Sequence, residues 1–243
     1  MRDADYQEGL PGRRARDALL IGLLTLLAVS TALTYRFALG GVYLSAVIAA
    51  YLLIASAILA NWTGNQAQLT FGIANGVTLL RAISVCLIAG ILVLDTILPQ
   101  LVWLVVGIAG CNLLLDGLDG RLARHYGVTS AFGARFDMEV DALLIMVLCV
   151  LLVVHYHVAA WVLAIGLLRY LFVGAGLLWP WLHAPLRAGI RGRAIGSYQV
   201  LALVLALLSL AAVRAFFLGS ALLLLIYSFT IDIRSLHRRA MHA

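Results

Sequence analysis

Apolar residues fill this chain in long runs, at about 18–38, 41–60, 77–96, 100–120, 138–155, 158–180, 195–213 and 215–232. Each run is close to the roughly 20 residues an α-helix needs to cross a bilayer. The pattern predicts an all-α fold, a polytopic transmembrane helical bundle. Polar segments punctuate it. Residues 1–17 read as a short tail, and the glycine-containing segment 61–76 reads as a linker. Arginines ahead of the first run also suit a signal peptide. A second apolar run follows within a few residues, so the segment is expected to stay as a tail.

Eight spans put both termini on one side of the membrane. If that side is the cytoplasm, thirteen arginines fall inside and only Arg36 and Arg214 outside. Such a bias orients membrane proteins, and it predicts an integral inner or plasma membrane protein with cytoplasmic termini. Arg81 and Arg169 lie within spans, and topology does not account for Arg169, which lies mid-span. An arginine at mid-span costs at least about 2.5 kcal/mol on insertion scales. Trp62, Trp179 and Trp181 fall near the inner interface, and Trp103 and Trp161 near the outer one, as an aromatic belt would.

Composition narrows the class further. The chain is 64% hydrophobic and 12% charged, with a mean hydropathy of +1.04, which excludes an ordinary soluble domain. Its net charge of +6 comes entirely from arginine, with no lysine. In cytoplasmic loops these arginines serve topology and anionic headgroups, so no nucleic-acid partner is expected. Cys86, Cys111 and Cys149 all sit in apolar runs. An odd count without ligand spacing points to neither a disulfide framework nor a metal site. The six histidines lie at span ends or tails and pair with no carboxylate by spacing.

Chemistry concentrates in residues 116–141, which hold five of the 11 acidic residues. Asp116 and Asp119 are three apart, Asp137 and Asp141 four apart, and on helices each pair shares a face. Gly120, Ala123 and Gly133 are small and leave room for a ligand beside the backbone. Four carboxylates at the inner membrane edge are costly to desolvate, which marks them as functional. Without a cation they would repel one another. An all-oxygen donor set suits hard cations, Mg²⁺ or Mn²⁺, and disfavours zinc. Two such ions would clamp a pyrophosphate between attacking and leaving oxygens.

This stretch resembles the motif of the CDP-alcohol phosphotransferases, D-x-x-D-G-x-x-A-R, eight residues, then G-x-x-x-D-x-x-x-D. Asp116, Asp119, Gly120, Ala123, Arg124, Gly133, Asp137 and Asp141 fill all eight fixed positions. The resemblance implies a six-helix catalytic core, here preceded by two extra N-terminal spans. The expected organisation is a tail at 1–17, the extra helices at 18–60, a linker and start of the core at 61–76, the core at 77–235 and a tail at 236–243. It also implies that Asp116, Asp119, Asp137 and Asp141 hold two divalent ions, and that Asp141 doubles as a general base. Gly120, Ala123, Arg124 and Gly133 would face the nucleotide of a CDP-linked lipid, expected to be CDP-diacylglycerol. Asn75, Thr78 and Arg81 form N-x-x-T-x-x-R, similar to the family's first core helix, where Asn75 and Thr78 would lie near the nucleotide. The family is commonly dimeric, so a homodimer is expected.

The acceptor is read from charge. Arg169, Arg187, Arg191 and Arg193 remain once Arg124 is given to the nucleotide, and guanidinium forks suit phosphate. A phosphorylated polyol, such as glycerol 3-phosphate or an inositol phosphate, is therefore expected. Gly192, Arg193, Ser197 and Gln199 resemble part of a basic element in the phosphatidylglycerophosphate branch, with Ile195 and Gly196 departing from it. Two other classes fit some of these features. An aspartate-rich membrane prenyltransferase would carry two acidic motifs far apart in sequence. An ion- or proton-coupled transporter would place its charges near the midplane, with broken helices or a repeat.

Overall fold

The computed structural model describes residues 11–62, 73–126, 131–179, 181 and 190–241. Among them are eight α-helices and no strand: α1 (Pro11–Phe37), α2 (Gly40–Trp62), α3 (Ile73–Ile91), α4 (Pro99–Tyr126), α5 (Ala131–Tyr156), α6 (Leu163–Leu178), α7 (Ile190–Leu208) and α8 (Ala211–Met241). The eight apolar runs thus correspond to the eight helices. Six are long and apolar enough to cross a membrane, which makes this a multi-pass integral membrane protein. The other two offer shorter apolar stretches, Asn75–Ile91 and Ala160–Gly176.

Local chemistry sets several helix ends. Pro99 opens α4, at a position where a missing N–H costs nothing. Upstream, α3 stops at Ile91, earlier than the apolar run 77–96 suggested, and turns follow. Trp179 is extended after α6 (φ −121°, ψ 96°), as expected of a residue before proline. Between α1 and α2, Ala38 takes a left-handed conformation at φ 54°. Leu39 N–H then reaches back to Thr34 C=O at 3.3 Å, closing the helix with the six-to-one bond of a left-handed C-terminal cap.

The chain divides into two compact units. The first comprises Met1–Asp95 and Leu114–Val140. Within it, α1, α2 and α3 pack on one another. Lipid is as apolar as leucine, so such contacts depend on close fit and on satisfied polar groups. Tyr43 is buried and donates to Leu87 C=O at 3.3 Å, and buried Tyr51 donates to Leu19 C=O at 2.6 Å. Gly90 permits the approach: a Cβ there would sit 2.8 Å from the Tyr43 ring. These contacts tie the extra hairpin, α1–α2, to α3.

The second unit comprises Thr96–Leu113 and Asp141–Ala243. Here α7 and α8 form an antiparallel pair. Arg214 donates to Ala206 C=O and Ser209 C=O, both at 2.9 Å, and so caps the C-terminal end of α7. Its guanidinium also lies over the Tyr156 ring, 4.6 Å from the centroid. Midway, Tyr198 and Ser220 hydroxyls bond at 2.7 Å. At the other end Arg191 pairs with Asp232.

Candidate active site

Three helices, α3, α4 and α5, carry the site's residues. Asp116 lies on α4, and Gly133 and Asp137 lie on α5. That helix starts at Ala131, two turns earlier than the apolar run suggested, so Gly133, Asp137 and Asp141 fall at four-residue intervals on one face. The division between the units falls within α5, between Val140 and Asp141, and the helix continues unbroken through it. Asp141 therefore follows Asp137 by one turn. One carboxylate oxygen from each of Asp116, Asp137 and Asp141 lies within 4.8 Å of the others. All three side chains are half-buried.

The third helix, α3, contributes a cation. Arg81 is 1% exposed, the largest fully buried side chain described. Its Nη1 donates to Asp137 Oδ1 and stands 3.6 Å from Asp116 Oδ1. Asn75 and Thr78 are buried too and precede Arg81 by two turns and one turn of α3. The N-x-x-T-x-x-R element thus forms a polar face, and its arginine is the member seen at the aspartates. Sequence reasoning placed Asn75 and Thr78 in the site but gave Arg81 no role there. The available signal was its shared spacing with them and its position inside a span.

The remaining expected residues are distributed as follows. Asp119, Gly120, Ala123 and Arg124 continue α4, but their side chains lie outside the described residues. Arg187 also lies outside them. Arg169 is half-buried within α6, and Arg193 is exposed on α7. Arg191 is engaged by Asp232, the acidic residue nearest the C-terminus. Gln199 is 4% exposed, and its Nε2 meets no acceptor among the described residues. A buried donor left so costs about 1–3 kcal/mol.

A family model for CDP-alcohol phosphatidyltransferase matches residues 71–231. The chain belongs to that family. Searches of curated proteins and of solved structures returned no match. As a CDP-alcohol phosphatidyltransferase, the protein is a membrane transferase that moves a phosphatidyl group from a CDP-alcohol to an alcohol acceptor. The match begins at residue 71, so α1 and α2 precede the matched region. Members are in general dependent on divalent metal. The donor set here fits such an ion: three carboxylate oxygens close together, partly exposed so that a hard cation keeps some of its water. Prenyl transfer and ion-coupled transport, which the sequence left open, gain no support from the match.

Proposed function

We propose that this phosphatidyltransferase uses CDP-diacylglycerol as donor and a phosphorylated polyol, such as glycerol 3-phosphate or an inositol phosphate, as acceptor. The observation that carries the reading is the convergence of Asp116, Asp137 and Asp141 within 4.8 Å, on the positions of the family's motif. The acceptor hydroxyl oxygen attacks the β-phosphorus, which bears the diacylglycerol. The bond from that phosphorus to the CMP oxygen breaks, and CMP leaves with the electron pair. Asp141 takes the hydroxyl proton as the new bond forms.

Asp116, Asp119, Asp137 and Asp141 would hold Mg²⁺ or Mn²⁺, in two sites. When bound, these ions supply charge neutralisation for the diphosphate and for the leaving group. Asn75, Thr78, Gly120, Ala123, Arg124 and Gly133 serve the nucleotide, with Arg124 pairing phosphate oxygen. Arg169 carries the acceptor phosphate, with Arg187 and Arg193 adding positive charge, while the charge of Arg191 is met by Asp232. The arginine bias supports a cytoplasmic site, where the acyl chains stay in the bilayer and the diphosphate sits at its inner edge. The enzyme works as a homodimer in the inner or plasma membrane.

The test is CMP release from CDP-diacylglycerol by purified protein against a panel of acceptors. Glycerol 3-phosphate or an inositol phosphate should exceed serine and unphosphorylated inositol. Equal or better turnover with the neutral acceptors would refute the acceptor assignment. Release from a water-soluble CDP-alcohol alone would refute the donor.

A further inference from the structure

Arg81 stands at the aspartate cluster but is none of the eight motif residues. The side chain is fully buried, on α3, and it reaches across 56 positions in sequence to Asp137. It also stands 3.6 Å from Asp116 Oδ1. These two carboxylates come from different helices, α4 and α5, so a single guanidinium links three helices at the site. Both are also among the oxygens that would hold a divalent cation.

We propose that Arg81 is the resident counter-cation of the site, a positioning residue that balances the aspartates before a divalent cation binds and competes with that cation for Asp116 and Asp137. The proposal rests on reading the aspartates as a divalent-cation site. Its physical basis is charge. Carboxylates this close raise one another's energy, and a fixed positive charge beside them relieves that repulsion. The same charge repels an incoming divalent ion, and does so strongly where the dielectric is low. Arg81 therefore keeps the metal-free bundle assembled at the expense of cation affinity. A side chain that merely filled space would do neither.

The experiment measures Mn²⁺ affinity of the full chain in detergent, by the paramagnetic resonance signal of free Mn²⁺. Thermal unfolding is followed in parallel, with and without the ion. Arg81→Met removes the charge and keeps an unbranched apolar chain in place of the arginine's aliphatic stem. It should bind Mn²⁺ at least about fivefold more tightly than wild type. It should also unfold earlier in EDTA, with a larger gain on adding Mn²⁺. Arg81→Lys keeps the charge and should stay within about twofold of wild-type affinity. Unchanged or weaker binding by Arg81→Met overturns the proposal, as does equal tightening by Arg81→Lys. If Arg81→Met yields no folded protein in EDTA, folding must return when Mn²⁺ is present throughout purification; failure to return overturns it as well. Wild type that binds no Mn²⁺ at all would sink the cation site itself, and the counter-cation with it, which is a different result from wild type binding and the variant failing to tighten.

Discussion

Replacing Asp137 with alanine should destabilise the metal-free protein, quite apart from any loss of activity. The reason is the burial of its partner. Arg81 is 1% exposed and gives Nη1 to Asp137, whose own side chain is 32% exposed. Removing one member of a buried ion pair costs about 3–5 kcal/mol, because the other charge stays buried without its mate. Two features lower that figure here. Asp116 remains 3.6 Å from the same nitrogen, and Asp137 is partly solvated already. A loss of about 2–3 kcal/mol follows. For a chain of this size that lowers the unfolding temperature by roughly 5–10 °C. Asp137→Asn keeps an oxygen acceptor for the guanidinium and loses only the charge, so its loss should be about half as large. The assay is thermal unfolding of detergent-solubilised protein in EDTA, read by tryptophan fluorescence. An Asp137→Ala protein that melts within about 2 °C of wild type would refute the reasoning, since Arg81 would then not depend on this carboxylate.

Four further outcomes are expected. Asp141→Asn should lower transfer by at least about 100-fold, the usual contribution of a general base, while CDP-lipid binding survives; near-normal turnover would remove Asp141 from that role. Arg169→Ala should raise the acceptor KM far more than the donor KM, the mark of lost ground-state binding; a matching rise in both would make Arg169 an internal ion-pair residue instead. A cysteine introduced in the segment 125–135, in a background lacking Cys86, Cys111 and Cys149, should resist an impermeant thiol reagent in intact cells, and labelling without permeabilisation would invert the topology. Tyr43→Phe should cost roughly 0.6 kcal/mol, typical of a hydrogen bond between membrane helices, and leave CMP release intact, because α1 and α2 carry no motif residue; a Tyr43→Phe protein that is folded but inactive would bring the hairpin into the chemistry.

How much of this was legible beforehand depends on the range of the interaction involved. Apolar runs of bilayer length became helices because, inside a membrane, backbone groups have only their own segment to bond with. The spacing of Gly133, Asp137 and Asp141 fixed their shared face once α5 was helical. Helix ends were less legible. The pattern of apolar residues marked α5 from residue 138, yet the helix begins at Ala131, because a helix continues past the bilayer edge wherever its residues permit. Pairings between helices lay further still from the sequence. Arg191 was counted as spare positive charge, and the fold gives it Asp232, 41 residues away. Tyr43 and Gly90 bring α2 onto α3 through shape and one hydrogen bond, which hydropathy does not encode.

The sequence by itself determined the class of the protein and the identity of its carboxylates, since both follow from local composition and from spacing along single helices. Tertiary structure alone decided what faces those carboxylates. In lipid, every apolar side of a helix is equally at home, so the hydrophobic pattern does not choose which helices meet. That choice falls to close packing and to the few buried polar groups that must find partners. Here the partner is Arg81, brought by α3 to the aspartates of α4 and α5.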